Sequence, residues 1–487
     1  MSTHPGLNDE PIYLDYNATT PIEPAVVAAM QPYLDTSFGN PSSAHRYATA
    51  PAAALAAARA QVAALIGADP AGIVFTGSGS EADNLAIRGI ALAAPEHCRQ
   101  VITQATEHPA VLATCHALHR LHGIEVTVLP VDAHGLIDPA DLLAAITPRT
   151  ALVSIMLANN ETGTIQPIAE LAAITHAHGA LLHTDAAQAA GKIGIDVHAL
   201  GVDLLTLAGH KMYASKGIAA LYLRPGLVLE PIIYGGGQEH GLRAGTENVA
   251  YAVALGTAAD LSGTHLDGEL PRLTYLRDRL HHALDTALPG RVHLNGHPER
   301  RLPNTLNISI TGVAGADLLA AVPQLAASTG SACHSGTAEP SPVLTAMGLD
   351  RDRALGASGT IAGQVSELMP EGVDAVLELV GCSVLADTFR TVRRYGTVCF
   401  TGALAGQWTI PDFTPFMIPN GVRLTSYGGQ AADLPADVFA RQLQAIAAGR
   451  LKVPVAKVYH GLEQVRDAQA DVESGTAPGK HVVVLDD

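Results

Sequence analysis

The feature that most constrains this chain is a series of short, unbroken apolar runs between residues 72 and 223. They are "GIVFT" (72–76), "QVITQA" (100–105), "IEVTVLPV" (124–131), "TALVSIMLA" (150–158), "GALLHTD" (179–185), "VDLLTLA" (202–208) and "IAALYL" (218–223). Continuous rather than alternating apolarity predicts strands covered on both faces. Helical patterns lie among them, at 48–66, 81–94 and 109–121. Strands of this kind separated by helices predict an α/β domain on a mostly parallel sheet.

A chain of 487 residues exceeds a comfortable single core, so two or more domains are expected. We place a large domain at about 20–260 and a smaller, looser one at about 265–357. At "RDRALGASGTIAGQ" (351–364) the text changes, and a second α/β module follows over 358–487. Hydrophobic residues make up 48% and charged ones 15%, which predicts a folded protein rather than a disordered one. A net charge of −17 without clustered Lys and Arg argues against a nucleic-acid partner. No basic start followed by an apolar core predicts secretion, and no apolar run is long enough to span a bilayer. The five cysteines (98, 115, 333, 382 and 399) are scattered, forming neither a disulfide framework nor a zinc pattern. They suit a reducing cytoplasm.

In such sheets ligands bind beyond the carboxyl ends of the strands, so the residues there carry the chemistry. "GSGSEADN" (77–84) opens a helix with glycine and serine, a setting that suits a phosphate. It also matches G-x-G-x-x-A at Gly77, Gly79 and Ala82, a weak dinucleotide signal that turns often mimic. "ATEHP" puts His108 at one strand end, "LANNETG" puts Asn160 at another, and "LLHTDAAQ" puts Asp185 and Gln188 at a third. His210 and Lys211 follow the fourth. Singly these are most simply caps, turn residues or a solvated lysine. Together they equip a site for pyridoxal phosphate: a lysine amine to join the cofactor's aldehyde, and an aspartate to keep the pyridine nitrogen protonated. A dinucleotide site needs neither.

The second feature is "STGSACHSGTAEPSPVL" (328–344), where Cys333 lies among small polar residues and a histidine. Exposure and a nearby imidazole favour the thiolate, the reactive form. Cys98, Cys115 and Cys399 are expected to be buried small hydrophobes.

On these residues the chain, over about 11–357, resembles the cysteine desulfurases of the class-V aminotransferase family that supply sulfur for iron–sulfur clusters. The motifs include "YLDYNATTP", "FGNPSSAHRYA", "FTGSGSEADNLAI", "TEHPAVL", "NNETGTIQPI", "HTDAAQAAGK", "GHKMYASKG", "YGGGQEHGLRAGTENV" and "STGSACHSGTAEPS". The resemblance implies a pyridoxal-phosphate transferase of fold type I, a homodimer acting on L-cysteine. It implies Lys211 as the Schiff-base lysine, Asp185 as the pyridinium partner and His108 as the ring stacked on the cofactor. Asn160 and Gln188 would bond the ring. Gly79, Ser80 and His210 would hold the phosphate, with Thr246 from the partner subunit. Cys333 would take the sulfur as a persulfide for an acceptor protein.

Three departures stand out. Ala208 and "GSGS" replace groups that the family places on the phosphate, at a cost of about 1–3 kcal/mol. The third is larger: the family's "S-[IV]-R-x-S-L-G" arginine, which clamps the substrate carboxylate, falls on Gly359 when counted without gaps from Cys333. The tail, with "PEGVDAVLELVG", "RTVRRYGTVCFTGALAGQW", "IPNGVRLTSYGG" and "GKHVVVLDD", is similar to the C-terminal part of medium-chain quinone or zinc-type alcohol dehydrogenases. It reads as a partial Rossmann-like module without the phosphate-binding turn or a set of zinc ligands. Two alternatives to the desulfurase remain: a cofactor-binding protein with little turnover, and an NADPH-dependent oxidoreductase in the tail.

Overall fold

The computed structural model describes His4, Leu7, residues 11–330 and 341–349, and in the tail 369–378, 384–401, 414–426, 455–461, 464–467, 480–484 and isolated positions. The chain divides into two compact units, Met1–Gly359 and Thr360–Asp487.

The first unit begins with a short strand β1 (Ile12–Tyr13), helix α1 (Pro24–Met30) and the Ala-rich α2 (Arg46–Leu65). Then come β2 (Ile73–Thr76), α3 (Gly79–Ala93), β3 (Gln100–Gln104), α4 (Pro109–His122), β4 (Glu125–Leu129), α5 (Pro139–Ala145) and β5 (Thr150–Ser154). They are followed by α6 (Ile168–Ala177), β6 (Leu181–Asp185), α7 (Val197–Leu200), β7 (Leu204–Ala208) and β8 (Ala219–Leu223). The seven expected strands pair in the order β2-β8-β7-β6-β5-β3-β4. Only β8 runs antiparallel to its neighbours, so the sheet is mostly parallel. Strands β2, β3, β5 and β7 are buried at every position, as their continuous apolarity requires. One core layer contains Ile102, Val153, Leu182 and Leu205; the other contains Val74, Leu85, Val101 and Leu204.

Local chemistry fixes the helix starts that face the sheet's carboxyl edge. Ser78 caps α3 by accepting from Glu81 N at 3.1 Å, and the Glu81 carboxylate reaches back to Gly77 N at 2.9 Å. That reciprocal pair satisfies two exposed donors of the first turn. At α4 the cap is His108 itself, whose Nδ1 accepts from Ala110 N at 3.1 Å, with Pro109 at the first helical position.

After β8 one long helix, α8 (Val249–Ala287), runs straight through the expected change of domain near 265. It crosses α2 so closely that a Cβ on Gly256 would lie 2.6 Å from Ala58 Cα, so only glycine fits. Beyond it lie the antiparallel pair β9 (Val292–Leu294) and β10 (Ile308–Ile310), then α9 (Gly315–Ala321), β11 (Leu325–Ala326) and α10 (Pro342–Ala346). Strand β11 pairs in parallel with β1, tying the start of the chain to this later region. No sequence pattern announced that pairing.

The second unit contains a three-stranded parallel sheet, β12 (Val373–Glu378), β13 (Val392–Phe400) and β14 (Arg423–Ser426). A parallel pair, β15 (Val455–His460) and β16 (Lys480–Val484), completes its described strands. Among its described residues Leu385, Phe389, Val392 and Val398 form a small core. Among the described residues of the chain, no helix is long and apolar enough to cross a membrane.

Candidate active site

Strand β6 ends on Asp185, a residue only 7% exposed, at the carboxyl edge of the sheet. Among the described residues it accepts one hydrogen bond, from Ala187 N at 2.8 Å. Burial pushes this carboxyl up, while that bond and the nearby His108 and Lys211 pull the other way. Strand β7 ends on Ala208 and turns tightly through Gly209–Lys211. Gly209 packs against Ile218, where a Cβ would come within 2.9 Å of its side chain, so the turn is held close to β8. The Lys211 amine donates to Asn17 O at 2.5 Å and Ala18 O at 2.8 Å.

Around this pair the other expected residues fall as follows. Gly79 starts α3 beside the end of β7: a Cβ there would sit 3.4 Å from Ala208 Cβ. Ser80, in the same first turn, is exposed. His210 bonds Thr19 Oγ1 through Nδ1 at 3.1 Å, and burial, then Lys211, pull its ring down to about 4, so it is neutral at ordinary pH. Gln188 is buried; its Nε2 donates to Asn17 O at 2.9 Å and its Oε1 accepts from Lys192 Nζ at 2.8 Å. Burial and then Lys211 lower the Lys192 amine to about 7. Asn160 offers its backbone carbonyl to Asn17 Nδ2 at 3.1 Å. Thr246 is exposed in the loop before α8. The structure therefore gathers His108, Asp185, Gln188, His210 and Lys211 at one edge, beside the start of α3. Cys333 and Gly359 lie outside the described residues.

Sequence reading missed the residue that joins these pieces. Asn17 receives Lys211 and Gln188 on its carbonyl, donates to Asn160 O and Thr305 Oγ1, and accepts from Asn304 Nδ2 at 3.0 Å. Its motif, "YLDYNATTP", was visible; a carbonyl's role has no residue-type signature. A cavity of about 100 Å³ opens nearby, lined by Thr76, Gly77, Gly217, Arg243, Gly245 and Asn248. Arg243 holds Glu81 at 2.9 Å on its wall. One expectation for the cysteines needs correction. Cys115 is buried, with its thiol pushed up to about 12, but Cys98 and Cys399 are half-buried. Each lies next to the end of its run rather than within a covered face: Cys98 precedes β3, and Cys399 is next to the last residue of β13.

The residues present fit pyridoxal phosphate. Among the described residues, a buried carboxylate accepts a single hydrogen bond, an amine stands within its electrostatic reach, and a helix N-terminus lies beside the end of the strand that leads into that amine. This combination of sheet order and strand-end groups is the architecture of the fold type I transferases.

Residues 12–360 match the sequence model of the family described as "Aminotransferase class-V", and the chain belongs to that family. Within it, the chain is 49% identical over 340 residues to the "Cysteine desulfurase" of Trichormus azollae, covering 69% of this chain and 84% of that protein. It is 45% identical over 347 residues to the "Cysteine desulfurase IscS" of Dictyoglomus turgidum, covering 71% and 88%. Among solved structures, a "NIFS-LIKE PROTEIN" superposes with a TM-score of 0.65 at 34% identity, covering 71% of this chain and 91% of that one. "SspA in complex with cysteine" gives 0.63 at 37%, covering 70% and 96%. Residues 355–483 match the model described as "Zinc-binding dehydrogenase".

Proposed function

We propose that this protein is a pyridoxal-phosphate-dependent cysteine desulfurase that converts L-cysteine to L-alanine and collects the sulfur on Cys333. The observation that carries the reading is the convergence of Asp185, His108 and Lys211 at the carboxyl edge of the sheet. Bound there, the cofactor would draw electrons from the substrate's α-carbon and weaken its C–S bond. The chain's own residues do the rest. Asp185 would supply a buried negative charge for the ring nitrogen, and His108 would stack its flat ring on the cofactor. Asn17 and Ala18 seat the Lys211 amine, and Lys192 fixes the Gln188 amide. The neutral His210, Gly79 and Ser80 serve the phosphate. Thr246 serves the partner subunit's phosphate in a cytoplasmic homodimer. Cys333 thiolate bonds the substrate sulfur as the C–S bond breaks; the carbon keeps the electron pair, takes a proton and leaves as alanine. The persulfide then passes to an acceptor protein.

The domain assignment is part of this reading: 1–357 carries the desulfurase, with its small domain truncated, and 358–487 a partial dehydrogenase-like module. A second reading, a cofactor-binding protein with impaired turnover, is favoured by Gly359 at the place of the carboxylate-binding arginine. One experiment separates the two. Purified protein with pyridoxal phosphate should be yellow, and borohydride should fix the cofactor on Lys211, a linkage that Lys211→Ala loses. With cysteine added, wild type should release alanine. Cys333→Ala should keep the colour but form no persulfide. A colourless protein that cannot be reconstituted refutes the cofactor assignment. Equal alanine release by Cys333→Ala refutes the nucleophile.

A further inference from the structure

The proposed reaction asks of Lys192 only that it hold an amide, and the geometry says which way round. After β6 the chain coils tightly: Ala189 N and Ala190 N both donate to Ala186 O at 2.9 Å, and Lys192 N donates to Ala189 O at 3.0 Å. Gly191 lets the coil continue against α8. Its φ is 72°, and a Cβ there would lie 2.9 Å from Ser262 Oγ, a conformation and a closeness that favour glycine. Gln188 and Lys192 thus stand four residues apart, the spacing at which side chains meet on a helical coil. Lys192 Nζ donates to Gln188 Oε1 at 2.8 Å. Gln188 Nε2 donates to Asn17 O at 2.9 Å, the carbonyl that also receives Lys211 Nζ.

We propose that Lys192 is a positioning residue for the cofactor ring and for the seat of Lys211, acting through Gln188: it locks the amide with its oxygen on Lys192 and its N–H groups on Asn17 and the ring. The proposal rests on Gln188 being a residue that bonds the ring.

The two ends of this amide are not interchangeable. A backbone carbonyl only accepts, so the end at Asn17 O must be the NH2. An amine donates whether or not it is charged, so the end at Lys192 is served as C=O in either state. Turning the amide over would set oxygen against oxygen at Asn17.

Asn17 cannot hold the amide alone. Its carbonyl has two lone pairs, and Lys211 and Gln188 each donate to it. With an apolar side chain at 192, the oxygen of the buried Gln188 would lose its donor, and the amide would have to leave Asn17 O to find another. Of the two N–H groups on Nε2, one serves Asn17 O, and the other is the donor that the amide offers the ring.

The test begins without cofactor. In apoprotein carrying isotope-labelled glutamine, NMR of the Gln188 side-chain amide, identified by its loss in Gln188→Met, should show slow exchange with solvent. Lys192→Met should speed that exchange about tenfold, and Lys192→Arg, which keeps a donor, should slow it again. In the reconstituted protein, pyridoxal-phosphate affinity is read from the visible band. Lys192→Met should weaken it by up to about tenfold, the worth of one hydrogen bond, and should add nothing in a Gln188→Met background. Gln188→Glu, the same shape without an N–H, should lose as much as Gln188→Met. Exchange unchanged by Lys192→Met or unrestored by Lys192→Arg overturns the proposal. So do losses from Lys192→Met and Gln188→Met that simply add, or a Gln188→Glu variant that binds like wild type. A wild-type protein that binds no pyridoxal phosphate refutes the proposed function instead, and amide exchange in the apoprotein then decides the role of Lys192 by itself.

Discussion

Replacing Glu239 by leucine should loosen the loop beside the start of α3 and cost about 3–5 kcal/mol, the range for removing one partner of a buried ion pair. The Glu239 side chain is 2% exposed and that of Arg59 15%. Their contact is bidentate, with Arg59 Nη2 2.7 Å from Oε1 and Nη1 2.8 Å from Oε2. Glu239 also accepts from Phe75 N at 2.9 Å, the Arg59 guanidinium donates to Ile73 O, and its carbon lies 4.8 Å from the Phe75 ring centre. Leucine would thus strand a guanidinium and a backbone N–H of β2 together. Arg59's partial access to water draws the figure to the lower end, about 3 kcal/mol. The pair also holds a strained turn, because Glu239 and His240 have φ of 47° and 58°, a region that costs non-glycine residues about 1–3 kcal/mol each. Urea unfolding of the full chain followed by circular dichroism gives the loss. The double variant Arg59→Met/Glu239→Leu should recover most of it, since apolar replacement of both partners removes the stranded charge. A loss under about 1 kcal/mol for Glu239→Leu, or a double variant as costly as the sum of the single ones, would refute the reasoning.

Acid should destabilise the first unit through His183. Its folded pKa of about 3 lies below the ordinary 6.5, so the contribution is complete above pH 6.5 and falls by about 1.4 kcal/mol per unit as pH drops towards 3. His183→Gln should flatten that slope in melting curves between pH 7 and 5; an unchanged slope counts against a buried neutral ring. Without an arginine at the Gly359 place, the KM for cysteine should rise about ten- to more than a hundredfold, the value of a charged hydrogen bond of about 1.5–3 kcal/mol. Grafting "SIRFSLG" there should lower it, and a wild-type KM in the low micromolar range would show that another group holds the carboxylate. The tail should show no NADPH affinity, because it carries no glycine-rich turn for the pyrophosphate; heat of binding in a calorimetric titration would overturn this.

Most of the first unit's fold was legible because its strands announce themselves twice, by unbroken apolarity and by polar residues at their ends. β6 shows both: Leu181 and Leu182 precede His183, Thr184 and Asp185. Helix α8 was harder. Its first third buries Ala250, Leu255 and Ala259 among others, while the rest, with Tyr275 and Leu280 exposed, carries charges around its girth. That loss of amphipathic pattern reads as a change of domain, although the backbone continues unbroken. At the site, side chains with a charge or a ring could be named from sequence. Asn17 could not, because what it offers Lys211 is a carbonyl that every residue possesses, brought close only by the fold. Lys192 was equally hidden, since only burial next to Lys211 makes its amine unusual.

The two family matches overlap only at residues 355–360, "LGASGT", and the compact units divide between Gly359 and Thr360. The join therefore falls where the substrate's carboxylate clamp is expected, beyond every residue assigned to the cofactor. On that account the two halves of the chemistry separate. Asp185, His108, Lys211 and their supports on Asn17, Gln188 and Lys192 all precede the join, and Asn17 and Gln188 link Lys211 to Lys192. Among the tail's described residues, Leu377, Leu424, Val458, Val482 and Val484 are exposed on parallel strands, a class ordinarily packed on both faces. A replacement of this kind should weaken substrate orientation while sparing cofactor capture. Weak binding of cysteine beside firm binding of pyridoxal phosphate is thus the signature expected of this chain, and a desulfurase damaged at its cofactor site would give the reverse.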